Sequence, residues 1–277
     1  MDYFEKLEKT VENALSEDIG TGDLTSKLIS PEKKNIAKII TRDEMVLCGR
    51  PWVDETLKQV DSESTIIWQL EEGEEAAPGD VLLQIRGKAR SLLTAERTML
   101  NFLQLLSAVA TETRKLTRII KNSGATLLDT RKTIPGLRLA QKYAVKTGGG
   151  ENHRIGLFDA FLIKENHINA AGSISSAIKK AKQIAKKVRI EIEVENIDEL
   201  KEAASEKPDW ILLDNFSIQD MQQAVKTVSG LGIKLEASGG IEDHENLLQI
   251  ANTGVDYISM GQLTKNVKAV DMTLLFD

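Results

Sequence analysis

Cysteine occurs once in the 277 residues, at Cys48, so neither an intramolecular disulfide framework nor a multi-cysteine metal site can be built. Histidine occurs three times, at His153, His167 and His244, too few and too scattered for a His-rich metal site. No uninterrupted apolar run approaches the roughly 18 residues of a membrane-spanning helix. The opening residues, Met1-Asp2-Tyr3-Phe4-Glu5-Lys6, lack the basic-then-apolar order of a secretory signal. An excess of positive charge is also missing. The 36 Lys plus Arg face 42 Asp plus Glu, a formal net charge of −6, which excludes the broad basic face of a general nucleic-acid or anionic-membrane binder. Hydrophobic residues at 41% and charged residues at 28% match globular usage and exclude a collagen-like or wholly disordered chain. The absences point to a reduced, cytoplasmic, soluble protein.

What is present divides into two textures. Phe4, Leu7, Val11 and Leu15 recur at helical spacing and predict a first helix over 3–16, broken by the glycines of Glu17-Asp18-Ile19-Gly20-Thr21-Gly22-Asp23. Strand-like runs follow at 36–40, 65–70 and 81–85. A long helical pattern then spans about 90–122, with a break or bend expected inside it. From Gly124 onward, short apolar runs at 126–130, 160–164, 189–194, 210–214, 233–237 and 257–260 alternate with helical stretches. That alternation predicts right-handed βαβ units and a parallel sheet of about six strands, as an open doubly wound sheet or a short barrel. The tail, 270–276, reads as one more strand able to return to the first domain.

The strand ends carry the chemistry. The first ends in Thr130-Arg131-Lys132, the second in Lys164-Glu165-Asn166-His167, and the third carries Glu191, Glu193 and Glu195. The fourth ends in Asp214-Asn215, the fifth in Ser238-Gly239-Gly240 and the sixth in Ser259-Met260-Gly261. Parallel α/β folds bind ligands at the carboxyl ends of their strands. Glycines that let backbone N–H groups approach an anion, on two consecutive strands, suit a phosphate. The cluster Gly148-Gly149-Gly150 leads into His153 and Arg154, which the topology brings near Arg131, Lys132 and Lys164. Five groups of positive or potentially positive charge in one mouth require an anionic ligand. Glu193 and Asp214 supply the opposite sign, able to support ribose hydroxyls, a divalent metal or a developing cation. His167 and His244 read as hydrogen-bonding or surface residues, Cys48 as a buried thiol, and Arg97 as an ordinary exposed helix arginine.

Taken in order, these segments resemble the quinolinate phosphoribosyltransferases. The matching stretches are Glu17 to Thr25, Glu96-Arg97-Thr98 through Gln104, Asp129-Thr130-Arg131-Lys132-Thr133-Ile134-Pro135-Gly136-Leu137-Arg138 and Lys142-Tyr143-Ala144-Val145 into the 148–154 loop. Leu162 to His167, Leu213-Asp214-Asn215-Phe216, Glu236 to Gly240 and Ile258 to Gly261 complete the set, with Lys146 where many relatives carry Arg.

The resemblance implies an α/β protein: an N-terminal open-faced α+β sandwich over 1–110, a C-terminal α/β barrel of about six parallel strands over 111–265, and a returning strand over 266–277. It implies decarboxylating phosphoribosyl transfer from 5-phosphoribosyl 1-diphosphate to quinolinate, in NAD biosynthesis. Arg131, Lys132, His153, Arg154 and Lys164 would bind the two substrates. Glu193 and Asp214 would face the ribose and the Mg²⁺-associated diphosphate, with Lys132, Lys164, Glu193 and Asp214 as the catalytic set. Ser238, Gly239, Gly240, Ser259 and Gly261 would cradle the 5-phosphate. Arg97 would reach quinolinate across the interface of a homodimer with shared sites. The alternatives are the related pyrophosphorylase-like protein of molybdenum transport, a Schiff-base aldolase with Lys164 as nucleophile, and a non-enzymatic sensor of phosphate ligands.

Overall fold

Val11 and Leu15 are the two buried residues of the first helix, four apart on one face, which is the spacing that made the helix legible. The computed structural model describes every residue except 242. In chain order the first part comprises α1 (Leu7–Ile19), β1 (Lys34–Thr41), β2 (Met45–Val46), α2 (Arg50–Val60), β3 (Thr65–Trp68), β4 (Glu75–Ala76), β5 (Val81–Lys88) and α3 (Ala89–Ile119). Then come β6 (Thr126–Leu128), α4 (Arg138–Thr147), β7 (Phe161–Ile163), α5 (Glu165–Ala171), α6 (Ile174–Ile184), β8 (Ile190–Val194), α7 (Ile197–Ser205) and β9 (Trp210–Asp214). The last elements are α8 (Ile218–Val228), β10 (Lys234–Ser238), α9 (His244–Ala251), β11 (Tyr257–Ser259), α10 (Gln262–Lys265) and β12 (Met272–Phe276). The chain forms two compact units. One holds residues 1–114, 133–149 and 262–277; the other holds 115–132 and 150–261. Residues 133–149, which separate the first two strands of the second unit, thus belong to the first.

The second unit is a six-stranded parallel sheet in the order β6-β11-β10-β9-β8-β7. Every strand lies beside its neighbour in sequence except β6 and β7, the two ends of the order. The strands are rich in apolar residues: Ile190, Ile192, Val194, Ile211, Leu213, Leu235, Ala237 and Ile258 are all buried. Its helices begin where the sequence supplies a cap. Ser173, Asn196, Ser217 and Asp243 each accept a backbone N–H from the first turn of α6, α7, α8 and α9. After β8 and β9 the caps Asn196 and Ser217 follow directly on the strand ends, whereas α5 stands between β7 and the Ser173 cap.

The first unit is built on an antiparallel sheet in the order β12-β1-β5-β3, with β2 and β4 as a separate two-residue ribbon. Ala37 and Ile39 of β1, Leu83 and Ile85 of β5, and Met272 and Leu274 of β12 alternate inward. They join Leu92, Met99 and Leu103 of α3 in one core. The expected break in the long helix does not occur. Residues 89–119 contain no Gly or Pro, so nothing interrupts the hydrogen-bond ladder of α3. Its mid-helix Ser107 is spent elsewhere, its Oγ bonding both Cys48 N–H at 3.0 Å and Cys48 C=O at 3.1 Å. Cys48 is fully buried, and burial pushes its thiol pKa up.

The end of α4 lies hard against α3. Arg114 donates to the carbonyls of Gly148 at 3.0 Å and Thr147 at 3.0 Å. A Cβ on Gly148 would stand 2.5 Å from Ala110 C=O and 2.6 Å from Thr113 Cβ. Gly148 is therefore glycine for close helix contact rather than for loop flexibility. Gly148→Ala should destabilise the protein by about 1–3 kcal/mol, the usual cost of forced overpacking, read as a lower urea midpoint at unchanged slope.

Candidate active site at the strand ends

Parallel register lines up the polar strand ends. Ser238 is the Cα partner of Asp214 on one side and of Ser259 on the other. Beyond Asp214, Asn215 sits in the left-handed region at φ 55° and donates its N–H to Ser238 C=O at 2.9 Å. That crossing leaves no room at the next position. A Cβ on Gly239 would meet Asn215 Oδ1 at 2.2 Å, and Gly239 itself adopts φ +80°. Gly261 does the same for a cation, since a Cβ there would lie 2.8 Å from Lys132 Cδ. At the ends of β7 and β8, Lys164 Nζ pairs with Glu193 Oε2. These residues all belong to the second unit, at the carboxyl-terminal ends of adjacent strands.

The loop after residue 150 fills the gap between β6 and β7. Glu151 bridges Leu128 in parallel register, and the fully buried Asp129 fastens the next two residues of the loop. Its Oδ1 accepts the His153 N–H at 2.9 Å and its Oδ2 accepts Asn152 Nδ2 at 2.7 Å. On the far side Arg154 Nη1 donates to Ala160 C=O at 3.3 Å, just ahead of β7. The Asp159 carboxylate accepts the N–H groups of Ile155 and Gly156.

His153 points inward. Its Nε2 lies 2.9 Å from Glu191 Oε2 and 3.2 Å from Glu236 Oε2, close electrostatic contacts in which the ring N–H is aligned with neither oxygen. In a flat sheet β8 would lie four strands from β6, about 19 Å at the usual interstrand spacing. A side chain rooted beside β6 reaches both β8 and β10 only because the sheet is rolled around a filled interior, so the short barrel is the realised alternative. Below the cluster, Arg189 lies over the Trp210 ring at 4.0 Å, and Trp210 stacks on Tyr257 at 4.1 Å. Arg189 Nη2 is 3.9 Å from Glu191 Oε2.

The buried cluster holds protons more tightly than its parts would in water. Burial lowers the His153 pKa and the two carboxylates raise it, but the Arg154 N–H aimed at Nδ1 bars a second ring proton, so the geometry holds the ring neutral. Burial, then the charge of Glu236, pushes Glu191 up to about 7. Arg154 N–H donates to His153 Nδ1 at 2.7 Å, which puts the ring proton on Nε2 and leaves the compensating proton with the glutamates. Among the described residues, this is the one His, Asp or Glu group whose ligand atoms all fall within 4.8 Å of one another. Arg154 is held below the ordinary arginine value by burial and then by the Arg131 charge, so these two cations stand close together.

The structure divides the expected five-cation cluster. Arg131 and Arg154 adjoin each other, Lys132 lies against Gly261, Lys164 is paired with Glu193, and His153 turns away into the interior. Arg97 is exposed on α3, in the first unit. His167 is exposed and accepts the Lys164 N–H at 3.1 Å, capping α5. Sequence reasoning passed over Asp129, Arg189 and Glu236. The alternation of Glu191 with Glu193 was a visible signal for interior carboxylates; nothing in the sequence distinguished Glu236 from a strand residue facing solvent.

Two family models match the chain. The quinolinate phosphoribosyl transferase N-terminal domain matches residues 23–107 and the C-terminal domain matches 109–275. The nicotinate-nucleotide pyrophosphorylase (carboxylating) of Mycobacterium leprae is 38% identical over 280 residues, covering 98% of this chain and 97% of that protein. A quinolinate phosphoribosyltransferase (decarboxylating) of Nicotiana tabacum is 36% identical over 98% of this chain and 82% of its own length. The solved nicotinate-nucleotide pyrophosphorylase of Francisella tularensis superposes with a TM-score of 0.94 at 46% identity, covering 98% of this chain and 96% of that one.

The buried interior makes two changes measurable. Asp129→Asn turns one acceptor into a donor facing the loop, and should cost about 1–3 kcal/mol in denaturant unfolding. The raised Glu191 pKa means that the folded state binds an extra proton. Its stabilisation is complete in acid and is lost as pH rises through about 7. The melting temperature of Glu191→Gln should therefore fall less steeply with rising pH than that of the unaltered protein.

Proposed function

The chain belongs to the quinolinate phosphoribosyl transferase family, and from that premise we propose that it transfers the phosphoribosyl group of 5-phosphoribosyl 1-diphosphate to quinolinate. The products are nicotinate mononucleotide, CO2 and diphosphate, a pentosyltransferase step of NAD biosynthesis. The observation that carries this reading is the match to both family domains along nearly the whole chain, on a sheet whose strand ends bear both charge signs and two glycine turns.

In this reading Arg131, Lys132, Arg154 and Lys164 bind the carboxylates of quinolinate and the phosphates of the donor, and His153 supports them. The turns Ser238-Gly239-Gly240 and Ser259-Met260-Gly261 take the 5-phosphate. Glu193 and Asp214 face the ribose. Mg²⁺ enters with the donor diphosphate as part of the substrate, reached by these carboxylates through water or substrate, and supplies positive charge to the leaving group.

The bond from ribose C1 to diphosphate breaks with its electron pair leaving on oxygen, and Glu193 and Asp214 steady the positive charge that develops on the sugar. The pyridine nitrogen lone pair forms the new bond to C1, provided that its carboxylates hold it in line. The quaternised ring then accepts the pair from the bond between C2 and its carboxylate, CO2 departs, and C2 takes a proton. A Schiff-base aldolase is disfavoured by Lys164 itself, which is exposed and ion-paired where an amine nucleophile must be desolvated.

We place the active assembly as a cytoplasmic homodimer in which Arg97 of one subunit completes the site of the other. Quinolinate with donor and Mg²⁺ should release CO2 and diphosphate; turnover of nicotinate instead would sink the substrate assignment and leave the molybdenum-transport relative or another acceptor to be tested. Lys132→Ala should lose transfer and keep its fold, checked by kinetics beside circular dichroism. Arg97→Ala and Lys132→Ala, each inactive, should recover part of the activity when mixed into heterodimers.

A further inference from the structure

The interior cluster does more than fill the barrel, because both ring nitrogens of His153 are engaged on opposite sides. Nε2 faces Glu191 and Glu236 at 2.9 and 3.2 Å, while Nδ1 accepts the Arg154 N–H at 2.7 Å. An imidazole can accept at Nδ1 only when its proton is on Nε2. We propose that Glu191 and Glu236 are positioning residues: by holding the His153 proton on Nε2 they leave Nδ1 open to the Arg154 N–H, and so fix the turn that delivers the Arg154 side chain. The inference deepens the phosphoribosyl-transfer reading, in which Arg154 is an anion ligand, and rests on it.

Burial and charge support a purely internal role for the two glutamates. Glu191 is 0% and Glu236 1% exposed, so neither is available to a substrate at the mouth. The groups facing His153 include these two carboxylates, Asp129 on its backbone N–H, Arg154 on Nδ1, and the edge of Trp210 at 6.2 Å. Arg189 lies on the Glu191 side at 3.9 Å and brings the cluster close to neutrality once a single proton is shared by the glutamates. A divalent cation in place of that shared proton would leave one net positive charge beside the guanidinium, which favours a proton over a metal in the His-Glu-Glu arrangement. The Arg154 side chain is also fastened to Ala160 C=O, and a rotated His153 ring would pull on this loop from its other end.

The test exploits the presence of only three histidines. In full-length protein labelled with nitrogen-15 on histidine rings, His153 should show a protonated Nε2 and an unprotonated Nδ1 at neutral pH, with assignments from His167→Asn and His244→Asn. Glu236→Leu removes an acceptor, whereas Glu236→Gln keeps one oxygen. The Leu variant should lose the single-tautomer signature and raise KM for quinolinate about tenfold with kcat little changed, as expected when a ground-state ligand is misplaced. The Gln variant should retain the tautomer and stay within about threefold of the unaltered KM.

An Nδ1–H tautomer in the unaltered protein, equal KM values in all three proteins, or one equivalent of bound metal would each overturn the proposal. If Glu236→Leu does not fold, the ring tautomer in the unaltered protein and in Glu236→Gln still decides. Absence of quinolinate turnover in the unaltered protein would instead refute the reading on which the inference rests.

Discussion

Six parallel strands roll into a barrel without closing it, so the gap between β6 and β7 must be sealed by something other than strand pairing. The buried carboxylate of Asp129 does much of this. It gathers the Asn152 side chain and the His153 N–H onto the β6 side, while Arg154 and Asp159 tie the same loop toward β7. Once the loop is seated, His153 projects into the interior, where it meets two glutamates from strands that a flat sheet would hold far apart. The seam thereby determines both the curvature that the interior can sustain and the direction in which Arg154 leaves the backbone.

Charge in this protein is arranged in layers along the strands. At the strand starts the partly exposed Arg189 lies beside Glu191 and over Trp210; in the middle sits the buried His153 cluster; at the strand ends stand Lys132, Lys164, Glu193 and Asp214. Carboxylates and cations alternate at every level, so the net charge of −6 says little about any one of them. An anion arriving at the strand ends competes with carboxylates already present, notably Glu193 for Lys164. Binding is then an exchange of partners in a polar mouth, which favours ligands carrying several negative charges over those carrying one.

Period and punctuation made most of the fold legible. The βαβ alternation located all six strands of the second unit within a few residues, because buried parallel strands are short apolar runs and their helices start at Ser, Asn or Asp caps. The strand ends were legible for the same reason. Two things were hidden. The long helix, expected to break or bend, runs on through 89–119, and the hydroxyls of Ser107 and Thr113 within it bond back into the structure. The division of the cations was hidden as well, since it depends on which way His153 turns. That is decided by Glu191 and Glu236, 38 and 83 positions further along, and by Asp129, and no local pattern joins them.

The first unit is assembled from three separate stretches, and the chain passes between units after residues 114, 132, 149 and 261. Its sheet order puts β12 at the edge of β1, so that Ala37 is the partner of Phe276. During synthesis, β1 therefore leaves the ribosome long before the strand that covers its edge exists. The exposed N–H and C=O groups of that edge must wait through the translation of the entire second unit, a period in which nascent chains are prone to mispair. A short terminal deletion, harmless to every group at the strand ends, would make that wait permanent.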